Sequence, residues 1–593
     1  MLYVKNTTTR NVIDLNGLWN FKLDEVGYAN VNTNSSLDTD LKAYVPGSFN
    51  EQFASDKIRK HTGNVFYERE FVIPKILEDE RKVLRFGSAT HHAKVYINGN
   101  FAIEHKGGFT PFEVDITEFV NVGKNRIFVI LSNILDYSTL PVGVYSQKEE
   151  DGKLIETVSE NFDFFNYAGL NRPVKIYTTS KTYIDDITIT YDVDLKNLSA
   201  NLNIKTDIVG DNYKVEVVII DEDNKEIASG DGEICNLEIK NVNLWKPLNS
   251  YLYKANVKVY EDDLLLDEYE EDFGIRTVEV KNNKFLINGE EFYFKGFGKH
   301  EDSHLHGRGL DELLNVTDIS LIKWINANSI RTSHYPYSEE MMRLCDREGI
   351  VVIDEFTAVG LFHGFGFNLL GDKNKKSTWN VMQTHDAHKQ VIKETIKRDK
   401  NHACVVMFCV ANEPDSSGEG AYEYFKPMFD LTRELDPQKR PVCYVNIMLS
   451  TPETDKVMKL SDVICLNRYM GWYVDLANFE LAELKQKEEI EKWHTLYPDK
   501  PILFTEYGAD TLAGLHSVYN IPFTEDFQIN FYDMYSKCFD AYDYIIGEQL
   551  WNFADFQTKF DIFRVDGNKK GIFTRERNPK SIARYLKDRW KKI

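Results

Sequence analysis

The second half of the chain repeats one pattern eight times, and this repeat constrains the fold more than any other feature. Between residues 276 and 593, apolar runs of strand length alternate with longer amphipathic segments that are typical of helices. The runs are EFYFKGFG, NSIRTSH, GIVVIDEF, ACVVMFCVANE, RPVCYVN, DVICLNRY, PILFTEYG and YIIGEQLWNF. Eight strand–helix units in roughly 320 residues match the size of a closed (β/α)8 barrel. The repeat therefore predicts a TIM barrel over residues 276–593.

One of the predicted helices carries signals at both of its ends. In SEEMMRLCDREG, the hydroxyl of Ser338 can cap the first turn, and Glu339 and Glu340 suit the positive end of the helix dipole. Gly349 can end the helix. A second amphipathic helix is predicted in ELAELKQKEEIEKWH.

The first half of the chain follows a different pattern, with short alternating runs and frequent turn residues. Up to residue 180 the runs include VFYEREFVIP, KVLRFGS, AKVYINGN and NRIFVILSN, with a hairpin signal at Asn98-Gly99. Residues 181–275 repeat this pattern on a smaller scale in DDITITYDVD, KVEVVIID and YKANVKVYEDD. The pattern predicts a jelly-roll-like β-sandwich over residues 1–180 and an immunoglobulin-sized β-sandwich over residues 181–275. The whole chain is then a multidomain α+β protein.

The formal charge of the chain argues against two classes of partner. The 593 residues carry a net charge of −22 at pH 7. Nucleic acids and anionic membranes are both bound by surfaces rich in Lys and Arg. A small anion can still bind where a few cations face one pocket, because close pairing outweighs a distant, screened field. We therefore expect neither a nucleic acid nor a membrane as partner.

The cysteines and the first residues indicate the compartment. The seven cysteines include no C-x-x-C pair, and most lie inside apolar runs such as VMFCV and VICLN, so we expect reduced thiols in the core. The first residues, MLYVKNTTTRNVIDLNG, contain no apolar segment of signal-peptide length, and no apolar run of about 18 residues follows. These features predict a cytoplasmic protein. The sequence shows neither metal-ligand spacing nor a Gly-rich phosphate loop, so we expect no metal and no cofactor.

Two of the predicted barrel strands end in a glutamate. Glu413 follows ACVVMFCVAN and precedes Pro414, which turns the chain, and Glu506 ends PILFTE. Catalytic residues of such barrels lie at the C-terminal ends of the strands. Retaining hydrolysis of glycosides needs two carboxyl groups about 5–5.5 Å apart, one a protonated acid and the other an ionised nucleophile. Glu413 and Glu506 are therefore candidates for this pair, and the alternative is that each carboxylate is structural.

Motifs along the whole chain resemble those of glycoside hydrolase family 2. Asn412-Glu413-Pro414 and TEYG at 505–508 resemble the barrel motifs of the family. The front of the chain is similar to its sandwich motifs in LNGLWNFKLD at 15–24, VPGSFNEQ at 45–52, VYINGN at 95–100, GGFTPFEVDIT at 107–117 and LWKPLNSYLY at 244–253. The resemblance implies the family's order of a sugar-binding-like sandwich, an immunoglobulin-like sandwich and a catalytic barrel.

The resemblance also implies roles for individual residues. Glu413 would be the general acid/base and Glu506 the nucleophile. The charge of Glu506 would keep Glu413 protonated by like-charge repulsion. Asn412 would donate to the sugar 2-hydroxyl, and Tyr469 would hold Glu506. Four further residues at the ends of early strands would line the pocket or support it: His300, Glu301, Arg331 and His334.

A basic segment near the C-terminus bears on the choice of sugar. In FRVDGNKKGIFTRERNPKS, Asn568-Lys569-Lys570 resembles the Asn-x-Lys motif by which the glucuronide-cleaving members of the family recognise the C6 carboxylate, and Arg564 also matches. A buried carboxylate needs charge-assisted donors, whereas a neutral CH2OH would leave the cations unpaired. A solvated basic loop is the alternative from composition alone. Three other residues match substrate-binding positions of these members: Asp163, Tyr473 and Trp551.

The resemblance therefore implies a retaining exo-β-glucuronidase activity, which would release glucuronic acid and an aglycone from β-D-glucuronides by a two-glutamate double displacement. It also implies a homo-oligomer, with a tetramer as the expected assembly. The Gly- and Phe-rich stretch at residues 357–380 resembles an active-site loop that overhangs the aglycone site, often that of a neighbouring subunit. The aglycone preference stays open.

Several alternatives to this reading remain at this point. A β-galacturonidase would share the carboxylate and differ at the contacts to the C4 hydroxyl, including Asp163. A β-galactosidase is disfavoured because Asn568 and Lys570 would lack a partner. A non-catalytic sugar-binding protein is disfavoured because both glutamates are present. Glu548 and Asp510 are further candidates for a reacting acid, and we interpret both as supporting residues.

Overall fold

The computed structural model describes residues 1–27, 31–364 and 377–593, and it shows two β-sandwiches followed by a barrel. The strands of the first sandwich are β1 (Val12–Asp14), β2 (Gly17–Leu23), β3 (Lys42–Val45), β4 (Asn64–Ile73), β5 (Arg81–Phe86), β6 (His92–Ile97), β7 (Asn100–Lys106), β8 (Phe112–Asp115), β9 (Gly123–Ser132), β10 (Gly143–Glu150), β11 (Lys153–Glu160) and β12 (Val174–Thr179). Two short helices, α1 (Phe49–Gln52) and α2 (Asp56–Arg59), follow β3.

The first sandwich is built from two antiparallel sheets that share one apolar core. One sheet has the order β3-β2-β4-β9-β6-β7 and the other the order β1-β12-β5-β8, while β10 and β11 form a separate hairpin. Alternate side chains of the strands point into the core, among them Trp19 and Phe21 from one sheet and Leu84 and Phe86 from the other. The predicted hairpin at Asn98-Gly99 is confirmed.

The second sandwich has the size and sheet arrangement of an immunoglobulin-like domain. Its strands are β13 (Tyr183–Asp194), β14 (Ser199–Val209), β15 (Lys214–Ile220), β16 (Glu226–Asp231), β17 (Ile234–Lys240), β18 (Tyr253–Glu261) and β19 (Leu264–Phe273). They form a β13-β14-β17 sheet and a β16-β15-β18-β19 sheet. The first residues of the chain lie against this sandwich, because Leu2 joins its core and Arg10 pairs with Asp267 at 2.6 Å.

The barrel follows a small antiparallel sheet of β20 (Val278–Lys281), β21 (Lys284–Ile287) and β22 (Glu290–Glu291). In the described part of the chain the barrel closes with eight parallel strands, each paired with the next and the first with the last. They are β23 (Phe294–Lys299), β24 (Ser329–Thr332), β25 (Val351–Glu355), β26 (Val405–Asn412), β27 (Val442–Asn446), β28 (Ile464–Asn467), β29 (Ile502–Glu506) and β30 (Ile545–Leu550). The predicted TIM barrel is thus confirmed, and all eight apolar runs contribute a strand.

Helices surround the barrel. They are α3 (Glu312–Trp324), α4 (Glu339–Glu348), α5 (Thr378–Val381), α6 (His385–Asp399), α7 (Ala421–Leu435), α8 (Phe479–Leu496), α9 (Glu525–Phe539) and α10 (Ile582–Trp590). The predicted ends of α4 are confirmed: Ser338 caps it by accepting from the N–H of Met341, and Gly349 ends it at φ 68°. None of the helices in residues 1–27, 31–364 and 377–593 is both long and apolar enough to span a lipid bilayer.

One unit of the barrel departs from the predicted repeat. Between β27 and β28 the chain forms a 3-10 turn at Met458–Leu460 instead of an α-helix. The carboxylate of Asp455 accepts from the backbone N–H groups of Val457 at 2.8 Å and Met458 at 2.6 Å, which fixes a tight turn. Local capping by Asp455 therefore competes with helix formation in this connection.

Candidate active site

The two predicted catalytic glutamates lie at the C-terminal end of the barrel. Glu506 is the last residue of β29, whereas Glu413 lies one residue beyond the end of β26. The sequence predicts that Glu413 ends its strand and that Pro414 makes the turn. Instead the chain turns at Glu413 itself, whose φ of 48° is in the left-handed region. A non-glycine residue there costs of order 1–3 kcal/mol, and such a conformation persists only where the surrounding structure imposes it.

The carboxylate of Glu506 is buried and held from both sides. Its Oε1 accepts from Nη2 of Arg331 at 2.5 Å, and its Oε2 accepts from the hydroxyl of Tyr469 at 2.7 Å. Burial and the charge of Glu506 raise the pKa of Tyr469 well above its ordinary value, so the tyrosine is the donor. The imidazole Nε2 of His334 lies 3.7 Å from Oε1. The hydrogen bonds from Arg331 and Tyr469 fix the direction in which Glu506 points.

Glu355, a residue that the sequence analysis did not single out, supports this arrangement. It ends β25 and is fully buried. Its carboxylate pairs with Nη1 of Arg331 and accepts from Nδ1 of His334 at 2.7 Å. Burial by itself would raise the pKa of Glu355, but the charges of Arg331 and His334 hold it below its ordinary value. The sequence did contain a signal for Glu355, because it is an acidic residue at the end of the predicted barrel strand GIVVIDEF.

Glu413 has an environment different from that of Glu506. Its Oε1 accepts from Nδ2 of Asn467 at 3.1 Å, and the side-chain oxygen of Asn467 accepts in turn from Thr505 at 2.9 Å. Burial, followed by repulsion from Glu506, raises the pKa of Glu413 to about 8. The pair therefore has one carboxyl group that is protonated at neutral pH. Asn467 is a second residue that we missed, although it lies two positions before Tyr469 in LNRY.

Lys570 lies buried at the barrel mouth in a set of polar and aromatic partners. Its ammonium pairs with Asp510 and donates to the hydroxyl of Tyr473 at 2.9 Å. The rings of Tyr469, Trp472 and Tyr473 lie 5.8, 5.5 and 4.9 Å from the same nitrogen, within cation–π range. Burial would raise the pKa of Asp510, but Lys570 and Arg564 hold it below its ordinary value.

The first sandwich contributes a residue to this cluster. Asp163 accepts from Nε of Arg564 at 3.1 Å, from its Nη2 at 2.8 Å and from Nδ2 of Asn568 at 3.0 Å. Arg564 also donates to Asp510 at 3.0 Å and to the hydroxyl of Tyr473 at 3.1 Å. Five residues predicted for substrate binding are therefore brought together: Asp163, Tyr473, Arg564, Asn568 and Lys570.

Of the remaining residues predicted for the site, some lie close to the two glutamates and one lies away from them. The ring of Trp551 stacks on His334 at 5.0 Å, and His300 lies 5.4 Å from Trp551. The side-chain oxygen of Asn412 accepts from Arg331 at 3.3 Å, next to the two glutamates. Glu301 instead pairs with Arg172 of the first sandwich at 3.1 Å.

Glu548, considered as an alternative reacting acid, lies among structural partners. Its carboxylate accepts from Nε of Arg589 at 2.9 Å and from the indole of Trp590 at 2.5 Å, so it ties β30 to α10.

The stretch at residues 357–380 lies only partly within the described chain. Its first residues contact the first sandwich, since Asn161 donates to the carbonyls of Gly360 at 2.5 Å and Phe362 at 2.8 Å. Residues 365–376 of this stretch, which as a whole is predicted to form the loop over the aglycone site, lie outside the described residues.

Asp346, His402 and Cys404 lie close enough together to suggest a metal site at the other end of the barrel. Nδ1 of His402 is hydrogen-bonded to Asp346 at 2.5 Å, and Asp346 also accepts from the backbone N–H of Cys404 at 2.7 Å. Burial would lower the pKa of His402, but Asp346 raises it to about 9. The side chains of Asp346 and His402 thus form an ion pair, and the second oxygen of Asp346 is taken up by the backbone of Cys404.

Three family models match consecutive parts of the chain. They are the glycosyl hydrolases family 2 sugar binding domain over residues 12–180, glycosyl hydrolases family 2 over residues 182–276, and the glycosyl hydrolases family 2 TIM barrel domain over residues 278–593. The beta-glucuronidase of Streptococcus agalactiae is 51% identical to this chain over 598 residues, covering 100% of the chain and 98% of the relative. Human beta-glucuronidase is 42% identical over 624 residues, covering 100% and 93%.

Solved structures agree with these matches. A beta-glucuronidase from an uncultured Clostridium species has a TM-score of 0.92 at 43% identity and covers 100% of both chains. A beta-glucuronidase from Ruminococcus gnavus in complex with D-glucuronic acid has a TM-score of 0.92 at 36% identity and covers 99% of each chain. The matches run from residue 12 to the last residue, and this chain belongs to glycosyl hydrolase family 2.

Proposed function

We propose that the protein is a retaining exo-β-glucuronidase that hydrolyses β-D-glucuronides to glucuronic acid and an aglycone. The observation that carries this proposal is the buried ammonium of Lys570 beside Arg564, at the same end of the barrel as Glu413 and Glu506. The relatives named as beta-glucuronidases, and one solved in complex with D-glucuronic acid, support the choice of sugar.

In the first step, the carboxylate of Glu506 attacks the anomeric carbon and forms a glycosyl ester. The bond from that carbon to the aglycone oxygen breaks, and Glu413 transfers its proton to this oxygen. The raised pKa of Glu413 supports its role as the acid, because the group keeps its proton in the free enzyme at neutral pH. The hydrogen bonds from Arg331 and Tyr469 support Glu506 as the nucleophile.

In the second step, water replaces the enzyme at the anomeric carbon. Formation of the ester removes the charge of Glu506, so one of the causes that raise the pKa of Glu413 disappears. Glu413 then ionises and takes a proton from the attacking water, and Glu506 leaves as a carboxylate. Two inversions at the same carbon give a product with retained β configuration.

The C6 carboxylate of the sugar is assigned to Lys570. An ammonium has three N–H donors. Asp510 and Tyr473 accept two of them, and the third is assigned to the uronate. Charge-assisted hydrogen bonds of this kind are roughly twice as strong as neutral ones, and a neutral CH2OH group cannot supply the acceptor charge. Arg564 and Asn568 complete the proposed recognition site.

The other substrate contacts are proposed from position. The oxygen of Asn412 already accepts from Arg331, so its NH2 group is assigned to the sugar 2-hydroxyl. Trp551 is assigned to a face of the sugar ring, because it stacks on His334 beside Glu506. Asp163 is assigned to a sugar hydroxyl, which would distinguish glucuronides from galacturonides.

Parallel kinetics of the wild type and Lys570→Ala test the substrate assignment. Truncating one partner of a buried charge pair costs roughly 2–5 kcal/mol, so kcat/KM for p-nitrophenyl β-glucuronide should fall roughly 30- to several-thousand-fold. Activity on the matching β-glucoside should be very low and should not fall in parallel. Lys569→Ala is the matched control, because the ammonium of Lys569 pairs with exposed Asp566. An unchanged glucuronide rate in Lys570→Ala would contradict the proposal.

We further propose that the enzyme works in the cytoplasm as a homo-oligomer. All seven cysteines are free and buried, which supports a reducing compartment. Sedimentation of the purified protein would measure the assembly state.

The division of the chain into domains at residues 180 and 275 is also a proposal. It is supported by the break between β12 and β13 and by the end of β19.

A further inference from the structure

A second buried lysine lies behind the cluster that carries Lys570. The ammonium of Lys580 donates to the carbonyl of Thr511 at 2.9 Å, to the carbonyl of Lys569 at 2.8 Å and to Oδ1 of Asp555 at 2.7 Å. An ammonium has three N–H donors, so each donor has its own acceptor. A neutral amine would have only two N–H donors, and the geometry therefore fits a charged lysine.

The three acceptors belong to the segments that carry the proposed uronate site. Thr511 follows Asp510, and Lys569 precedes Lys570. Asp555 also accepts from the backbone N–H of Gly571 at 3.0 Å, on the other side of Lys570. The N–H of Thr511 donates to the carbonyl of Lys569 at 2.9 Å, which joins the two segments directly. Lys580 and Asp555 thus hold the backbone on both sides of Lys570 and beside its partner Asp510.

This support matters because the surrounding chain is irregular. Residues 551–581, all within the described chain, contain isolated bridges but no helix or strand. Its backbone is joined at scattered points, such as the N–H of Asn552 to the carbonyl of Lys570 at 3.3 Å, and the ammonium of Lys580 adds contacts to two further carbonyls. Lys580 and Asp555 are both buried, and all three donors of the ammonium are used, so the pair restricts the backbone that it contacts.

We propose that Lys580, together with Asp555, is a positioning residue for uronate recognition. It contacts no sugar in this account. It acts by fixing the backbone of residues 569–571 against residue 511, so that the ammonium of Lys570 and the carboxylate of Asp510 meet in the geometry that receives the C6 carboxylate. The inference rests on the proposed glucuronidase function.

Lys580→Met tests the inference, because methionine keeps the apolar stem and removes all three donors. We expect KM for p-nitrophenyl β-glucuronide to rise roughly tenfold or more, since two buried carbonyls and Asp555 lose a donor. The value of kcat should change much less, because Glu413 and Glu506 are untouched. The weak activity on the β-glucoside should not fall in parallel. If Lys580→Met fails to fold, the double variant Lys580→Met/Asp555→Asn replaces it, because the uncompensated charge of Asp555 is then also removed. The double variant should show the same selective rise in KM.

Lys400→Met is the matched control. Lys400 is also buried, with three acceptors: both oxygens of Asp186 at 2.8 and 2.9 Å and the carbonyl of Lys397 at 3.1 Å. It joins the second sandwich to the barrel and should lower the melting temperature without changing KM. Equal losses on both sugars in the Lys580 variants, or an unchanged KM, would overturn the inference. If Lys570→Ala shows the selective loss and the Lys580 variants do not, only this inference fails. An unchanged Lys570→Ala would overturn the proposed function itself.

Discussion

The ammonium of Lys570 is paired with the carboxylate of Asp510 inside the barrel mouth. Both side chains are almost completely buried, so the charge that is assigned to the uronate is balanced by the protein itself. Two further contacts hold Asp510: Nη1 of Arg564 at 3.0 Å and the backbone N–H of Lys569 at 2.9 Å. Removal of Lys570 therefore affects the protein as well as the substrate.

Stability measurements should reveal this pairing. Lys570→Ala should lower the melting temperature, because breaking a buried pair by removing one partner costs about 3–5 kcal/mol. Adding Asp510→Asn should cost less than the same substitution costs in the wild type, since the pair with Lys570 is already broken and only the contacts with Arg564 and Lys569 remain to be lost, while the glucuronide activity stays low. A loss in the double variant equal to the sum of the losses in Lys570→Ala and Asp510→Asn would show that the two residues are not coupled.

Trapping experiments should distinguish the two glutamates. Glu413→Gln and Glu506→Gln should each abolish turnover of a natural glucuronide. With a very good leaving group that needs no proton, the Glu413 variant should still accumulate the glycosyl-enzyme, visible as added mass. The Glu506 variant should not, because it lacks the nucleophile. Equal trapping in both variants would void the assigned roles.

The alkaline limb of the pH profile should report Glu413. The group must hold its proton to act as an acid, and its pKa is raised to about 8. The value of kcat/KM should therefore fall as the pH rises through about 8. The hydrogen bond from Asn467 lowers this pKa, so Asn467→Ser should move the limb to higher pH. A limb unchanged in Asn467→Ser would assign it to another group.

Glu355→Gln should damage catalysis without touching the sugar. The substitution removes the charge that holds Arg331 and His334, and Arg331 donates a hydrogen bond to Glu506. We expect kcat to fall roughly tenfold or more, because even small misplacement of a reacting group is costly, with a smaller change in KM. Glu301→Gln is the control, since this carboxylate is paired with Arg172. Equal effects of the two substitutions on kcat would mean that Glu355 acts only through stability.

Much of the fold could be predicted because its local patterns agree with its final structure. Each apolar run of the barrel became a buried parallel strand, and the ends of α4 follow from Ser338 and Gly349. The 3-10 turn after β27 could not be predicted in this way, since it depends on a side chain, Asp455, that bonds to the backbone two and three residues further on.

The candidate site was predictable only in part. Glu413, Glu506 and Lys570 lie in motifs that can be read along the chain. The pair of Asp510 and Lys570 joins residues that are 60 positions apart in the sequence. The pair of Asp163 and Arg564 joins residues that are 401 positions apart. Glu355, Asn467 and Lys580 act on other protein groups, so their importance depends on distances that only the folded chain defines.

Proton NMR of the first-formed product tests the central claim most directly. The purified protein would be incubated with p-nitrophenyl β-D-glucuronide, and the anomeric proton would be observed before mutarotation. Double displacement by Glu506 with Glu413 as acid and base predicts that β-glucuronic acid appears first and the α anomer follows slowly. Initial release of α-glucuronic acid, or no release of glucuronic acid, would contradict the account.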